Sequence, residues 1–155
     1  MSDPLPVHRL GSVDIALDWT LRISQARAWD HFFSAPQSWW PSEFRVFGNG
    51  TKMSFDAQIG GQLIERNDSG AAVTWYTIFA LQPHQSVDLK GQLATRYGGP
   101  AQTLLHIEFI DLGKDKCSIK LTDSVFGRLG PEIATSITSG WNAIIGDGFV
   151  ASLAR

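Results

Sequence analysis

The sequence predicts an α+β domain in which one antiparallel sheet curves around a long C-terminal helix. Three observations predict it: a long strand pattern near the N-terminus, a series of strand patterns separated by short turns, and an apolar helical stripe at the end of the chain. A sheet built in this way has one apolar face, and a long terminal helix is the element that can cover it. The length of 155 residues fits a single domain with one core.

The chain begins with a strand followed by two short helices. Apolar and polar residues alternate from 13 to 23, which is the period of a half-buried strand. From Ser24, a residue type suited to capping a helix N-terminus, the apolar residues recur at helical spacing until Pro36 ends the helix. The segment 36–41 has a proline at each end, so it has room for only one or two further helical turns.

Strand patterns fill the middle of the chain. Turn sequences separate several of them, at 67–70, 82–85 and 112–115. Consecutive hairpins of this kind form an antiparallel meander. The predicted strands cover 52–58, 61–66, 71–81, 86–93, 102–112 and 116–126, which together with the first strand gives a curved sheet of about six to seven strands.

A helix over 131–153 is predicted to close the fold. Pro131 suits the first helical turn, and the apolar residues after it recur at steps of three and four. Gly140, Gly146 and Gly148 each cost the helix about 1 kcal/mol relative to alanine, so its stability must come from packing. These glycines allow either a close approach of the helix to the sheet or a bend that admits a ligand. The apolar stripe consists of Ile133, Ile137, Trp141, Ile144, Ile145 and Phe149.

The order of one strand, two short helices, six strands and a long helix is that of the helix-grip fold. Five segments carry a family resemblance, in this order along the chain: 21–32, Trp39 and Trp40, Gly60 and Gly61 with Glu65, 77–83, and Gly140 and Trp141. Through these segments the chain resembles the START-like (Bet v 1-like, SRPBCC) superfamily, and specifically its branch related to the activator of Hsp90 ATPase. The resemblance spans about residues 12 to 153, which leaves 1–11 as an N-terminal tail before one START-like domain, 12–155.

The chain departs from the family pattern at two places. The family often has a small residue near Trp75 and Tyr76, and often a histidine at the position of Asp123. Either difference changes the shape or the polarity of a pocket. Trp75 and Tyr76 lie on opposite parities of one predicted strand, so the sequence leaves open which aromatic side chain points inward.

The resemblance implies a deep cavity between the sheet and the C-terminal helix that holds apolar or aromatic small molecules. Strand parity selects the residues that face such a cavity from the sheet, and the apolar helix stripe adds others. Trp39 and Trp40 are adjacent, so one can pack in the core while the other borders an opening. The residues predicted to contact a ligand are Trp19, Trp40, Phe55, Glu65, Trp75, Leu89, Phe109, Asp123, Trp141 and Ile145.

Two of these residues are carboxylates on otherwise apolar strand faces. Glu65 and Asp123 share parity with apolar neighbours, and a buried carboxylate without a partner is costly. Either could accept a hydrogen bond from a ligand or transfer a proton. The alternative is that each lies at a strand end, solvated or paired with Arg22, Arg45 or Arg66.

Composition argues against several classes of function. With 13 Lys and Arg against 15 Asp and Glu, the chain lacks the basic surface that binds nucleic acid or anionic lipid. No apolar run approaches the ~20 residues of a membrane span. Cys117 is the only cysteine and no histidine pair has metal-site spacing, so neither a disulfide, a metal nor a cofactor is predicted. We therefore expect a cytoplasmic protein.

The predicted function is binding of a small, largely apolar or aromatic molecule, by a monomer or a homodimer. No catalytic residue is assigned, because nothing in the sequence requires catalysis. One alternative is a small cyclase, hydrolase or isomerase that uses Glu65 or Asp123 as a general base. The other follows from the resemblance, which implies a co-regulator that contacts an Hsp90-type chaperone and stimulates its ATPase.

Overall fold

The structure, a computed structural model, describes residues 4–153 and contains one antiparallel sheet of seven strands. Each strand pairs with its neighbours in the chain, except that the first strand pairs with the last and not with the second. The strands are β1 (Gly11–Leu21), β2 (Lys52–Phe55), β3 (Gln62–Arg66), β4 (Ala72–Gln82), β5 (Ser86–Leu93), β6 (Ala101–Asp111) and β7 (Cys117–Gly127).

Helices cover the inner face of this sheet. Between β1 and β2 lie α1 (Gln25–Ser34) and α2 (Pro36–Trp39), and Ser24 caps α1 by accepting a hydrogen bond from the Arg27 amide. The C-terminal helix is a continuous run of α3 (Ile133–Trp141), a π-helical segment (Asn142–Phe149) and α4 (Val150–Leu153). Seven antiparallel strands around a long terminal helix confirm the helix-grip fold.

One half of the interior is filled by aromatic side chains. Phe32 stacks on Trp39 with ring centroids 4.9 Å apart, and Phe33 lies 4.7 Å from Phe55. Phe109 on β6 and Phe149 on the helix pack against the same cluster. Dense aromatic packing of this kind excludes water and leaves no room for a ligand in this half.

Two bulges interrupt β4. On the β3 side, Leu63 pairs with Tyr76 but the next residue, Ile64, pairs with Thr74, so Trp75 is an extra residue in the strand. The second bulge, on the β5 side, leaves Phe79 as the extra residue. A bulge inserts one residue into one strand and shifts the alternation of its side chains. Along β4, the side chains that face the interior are therefore not simply every second residue.

The first bulge settles the question that the parity of β4 left open. The Trp75 indole donates a hydrogen bond to buried Glu65, and the Tyr76 ring lies 6.1 Å from the ring of Trp141 on the helix. Both aromatic side chains therefore point inward, although they are adjacent in the chain.

The C-terminal helix approaches α2 closely at one glycine. A Cβ atom on Gly148 would lie 2.4 Å from the Trp39 carbonyl oxygen, whereas one on Gly140 would meet only Phe44 at 3.9 Å. Gly148 thus supports the close-approach interpretation with α2 as the neighbour, and Gly146 supports it with the sheet, since a Cβ atom there would lie 3.3 Å from the indole nitrogen of Trp19 on β1. Among residues 4–153, no helix combines the length and the apolar character that a membrane span needs.

Candidate functional site

The other half of the interior contains a cavity of about 160 Å³ between the sheet and the C-terminal helix. Four strands, the helix and the segment after α2 contribute to its lining. An apolar cavity of about 150 Å³ is known to hold one benzene molecule, so this volume suits a single aromatic ring. Its aromatic walls are Trp40, Phe44, Trp75, Tyr76 and Trp141.

The three tryptophans of the wall, Trp40, Trp75 and Trp141, are held in place by hydrogen bonds from their indole nitrogens. Trp40 and Trp75 lie with ring centroids 5.0 Å apart, and the Trp40 indole donates to the Phe44 carbonyl. Trp39, by contrast, packs into the filled half, so the adjacent tryptophans divide between core and cavity. Fixed rings need no ordering when a flat ligand enters, which favours binding.

Asp123 is the buried acid of this cavity. It lies on the inner face of β7, opposite Ile15 on β1 and Leu105 on β6, and 3% of its surface is exposed. Thr103 donates a hydrogen bond to one carboxylate oxygen, and the Trp141 indole donates to the other at 2.8 Å. No salt bridge to Asp123 is found in the described part of the chain.

The surroundings of Asp123 change its acidity. Burial raises the pKa of its carboxyl above the ordinary value, and the hydrogen bonds from Thr103 and Trp141 only partly oppose this effect. The group is consequently easier to protonate than an exposed aspartate. A carboxyl of this kind can accept a hydrogen bond or a proton from a bound molecule.

Tyr76 supplies the second polar group of the cavity wall. Tyr76 is half-buried and its hydroxyl has no hydrogen-bond partner within residues 4–153, so the group is free to bond to a ligand. Burial and, secondarily, the negative charge of Asp123 raise the pKa of Tyr76, so the phenol stays neutral. The sequence left open which of Trp75 and Tyr76 points inward, and Tyr76 was not among the predicted contact residues, because only the bulge at Trp75 lets both side chains face the interior.

Glu65 is buried too, but its carboxylate is hydrogen-bonded outside the lining of the cavity. Its carboxylate accepts hydrogen bonds from the backbone amides of Val46 and Phe47, at 3.0 and 2.9 Å, and from the Trp75 indole at 3.1 Å. It fastens the segment after α2 to β3 and fixes the orientation of Trp75. Arg45, one of its possible partners, instead donates to backbone carbonyls, including that of Thr51.

The structure brings four of the ten predicted contact residues together at the cavity: Trp40, Trp75, Asp123 and Trp141. Glu65 lies behind Trp75, and Trp19 lies under the π-helical segment, where its indole donates to Asn142 at 3.2 Å. The remaining four are core residues outside the cavity lining: Phe55, Leu89, Phe109 and Ile145. No group of three or more side chains suited to hold a metal ion is found within residues 4–153.

No protein-family model matches this chain, and no curated protein matches it. Solved structures do match it. An uncharacterised protein from Rhizobium leguminosarum has a TM-score of 0.72 at 13% identity, over 97% of this chain and 99% of that one. A protein from Rhizobium loti has a TM-score of 0.66 at 21% identity, over 95% of this chain and 98% of that one.

The third comparison is with an enzyme. Norcoclaurine synthase from Thalictrum flavum, solved in complex with dopamine and hydroxybenzaldehyde, has a TM-score of 0.61 at 13% identity. The match covers 99% of this chain and 97% of that one. These chains share the helix-grip fold. At such low identity the likeness concerns the fold, and a shared fold does not fix a function.

Proposed function

We propose that the chain binds a small aromatic molecule that carries one hydrogen-bonding group. The observation that carries this proposal is the Tyr76 hydroxyl, which has no partner among residues 4–153 and belongs to the same cavity wall as Asp123. A polar atom in an apolar, aromatic pocket gives a ligand its orientation, while the rings supply most of the contact area.

The geometry supports a ligand of one ring. A volume of about 160 Å³ accommodates a single ring, and a fused ring system would extend beyond it. A phenol or an aromatic amine could place its ring against Trp40 and Trp141 and its polar group near Tyr76. The complex of norcoclaurine synthase with dopamine and hydroxybenzaldehyde, both one-ring phenols, supports this size class.

A variant at Gly140 tests the proposal without disturbing the polar groups. Gly140 lines the cavity, and a Cβ atom there would meet only Phe44, at an ordinary contact distance of 3.9 Å. We expect p-cresol to bind the wild type saturably in isothermal titration calorimetry, and Gly140→Leu to abolish binding because the leucine occupies the cavity. Ser139→Leu, at the exposed neighbouring position, is the matched control and should bind as the wild type does.

Two results would count against binding in this cavity. One is the absence of saturable binding for p-cresol, tyramine and toluene alike. The other is equal affinity in Gly140→Leu and Ser139→Leu, which would place the bound ring elsewhere.

A second candidate function is catalysis with Asp123 as a general base. The raised pKa of Asp123 and its neighbour Tyr76 favour this candidate, since perturbed groups in a pocket are typical of acid–base catalysis. Turnover of a bound probe should then disappear in Asp123→Asn while its binding remains. If the wild type binds the probe but does not turn it over, the protein binds this ligand without catalysis.

The chaperone co-regulator alternative and the branch related to the activator of Hsp90 ATPase stay predictions from the resemblance. No family model supports that branch. A pull-down with an Hsp90-type chaperone, read out by ATPase rate, tests this alternative independently of ligand binding.

A further inference from the structure

The buried Asp123 carboxylate has no cation to balance its charge. Its two hydrogen bonds come from the Thr103 hydroxyl and the Trp141 indole, which are both neutral donors. Its partners across the sheet, Ile15 on β1 and Leu105 on β6, are apolar. In the described part of the chain, no lysine, arginine or histidine lines the cavity or forms a salt bridge with Asp123. Buried charges in proteins are normally paired, so a cation is the partner that this site lacks.

The tryptophans of the wall favour a cation over an anion. The indole N–H groups of Trp40, Trp75 and Trp141 are all bonded within the protein, so none of them is left to donate to a ligand. An anionic ligand would gain no hydrogen bond from these residues and would be repelled by Asp123. A cation is attracted both by the carboxylate and by the faces of aromatic rings, most strongly by those of tryptophan.

The Tyr76 hydroxyl adds a second acceptor to the wall. Burial and then the charge of Asp123 raise the pKa of Tyr76, so its phenol stays neutral and its oxygen can accept a hydrogen bond. Of the other polar residues described in the lining, Thr103 is bonded to Asp123 and Gln92 is exposed. An ammonium group has three N–H donors and no acceptor, which matches the acceptors that Asp123 and Tyr76 offer.

We propose that the hydrogen-bonding group of the ligand is a protonated amine, and that the site takes an arylalkylammonium ion of one ring. The ammonium group lies at Asp123 and Tyr76, and the ring lies against the tryptophans of the wall. This inference rests on the proposed function and names the charge of its ligand. It accounts for a buried acid without a cation and for the aromatic rings around that acid in one step, since both features stabilise the same positive charge.

Benzylamine, benzyl alcohol and benzoate test the proposal, because they are similar in size and differ in charge. Near neutral pH the amine is a cation, the alcohol is neutral and the acid is an anion. In isothermal titration calorimetry we expect the amine to bind the wild type about tenfold or more tightly than the alcohol, the contribution of a hydrogen bond between charged groups, and benzoate to bind most weakly. The preference for the amine should persist in high salt, because salt screens a buried pair much less than it screens surface charges.

Two variants assign the preference to one carboxylate. Asp123→Asn removes the charge but keeps the size of the side chain, so the ratio of amine affinity to alcohol affinity should fall to parity. Asp14→Asn is the matched control. Asp14 is exposed and precedes Ile15, which pairs with Asp123, so it lies on the opposite face of the sheet. This variant removes the same charge and should keep the ratio of the wild type.

The comparison within the wild type decides the inference even if a variant fails to fold. If benzyl alcohol or benzoate binds as tightly as benzylamine, or if the preference for the amine disappears in high salt, the inference is wrong and the proposed function stands. The same holds if the preference survives in Asp123→Asn, if Asp14→Asn lowers it equally, or if none of the three compounds binds although p-cresol does. If p-cresol, tyramine and toluene also fail to bind, the proposed function itself is overturned.

Discussion

Asp123 combines deep burial with two hydrogen bonds and no cationic partner among the described residues. Removing a carboxylate from water disfavours its charged form, and hydrogen bonds from neutral donors return only part of that cost. The raised pKa of Asp123 follows from this balance. The same balance makes the ionised carboxyl ready to accept a further donor from a ligand.

Asp123 should make the stability of the protein depend on pH. Its folded-state pKa lies above the ordinary value of 3.8, so the folded form binds the proton more tightly than the unfolded chain. This contribution to the free energy of unfolding is complete below pH 3.8 and is lost as the pH rises through the raised pKa.

Urea unfolding of wild type and Asp123→Asn checks this expectation. The free energy of unfolding of the wild type, minus that of the variant, should fall as the pH rises above 3.8 and through the raised pKa of Asp123, because asparagine does not titrate. A difference that stays constant, or that grows with pH, would contradict the assignment of a raised pKa to Asp123.

Strand β4 shows how far its sequence predicts its structure. The alternation predicted a strand over 71–81, and the structure has it at Ala72–Gln82. The inward face was not predictable, because Trp75 and Phe79 are extra residues whose placement depends on pairing with β3 and β5. Aromatic residues fit either face of a strand, so their types give no clue to a bulge.

The C-terminal helix shows the same limit. Its apolar stripe predicted the element and its buried side, including Trp141 and Ile145. The π-helical segment had no sequence pattern that predicted it. Gly148 was recognisable as a weak point in the helix, but only the packed structure shows that it lies against α2.

Gly148→Ala should destabilise the protein. Its methyl group would meet the Trp39 carbonyl oxygen at 2.4 Å, a backbone atom that cannot move aside cheaply. We expect a loss of about 1–3 kcal/mol in the free energy of unfolding, the usual cost of overpacking. Gly140→Ala is the control, since it meets no such atom and should gain up to about 1 kcal/mol of helix propensity. Equal effects of the two substitutions would contradict the close approach of this helix to α2.

The whole molecule divides its interior between a filled half and a cavity. The order of elements predicted the helix-grip fold, because few arrangements cover one apolar sheet face with a terminal helix. The division of the interior was not predictable, since Phe55 and Phe109 have the same apolar character and inward parity as cavity-lining residues. Which large side chains meet, and which leave a gap, depends on packing distances that the strand pattern does not contain.

The indole N–H signals of the six tryptophans, in a two-dimensional ¹H–¹⁵N NMR spectrum, test the central claim most directly. On titration with p-cresol, the signals of Trp40, Trp75 and Trp141 should shift saturably, because these side chains line the cavity. The signals of Trp29 and Trp39, which pack in the filled half, should stay in place. Shifts confined to these last two residues, or no shift at any tryptophan, would contradict a ligand site between the sheet and the C-terminal helix.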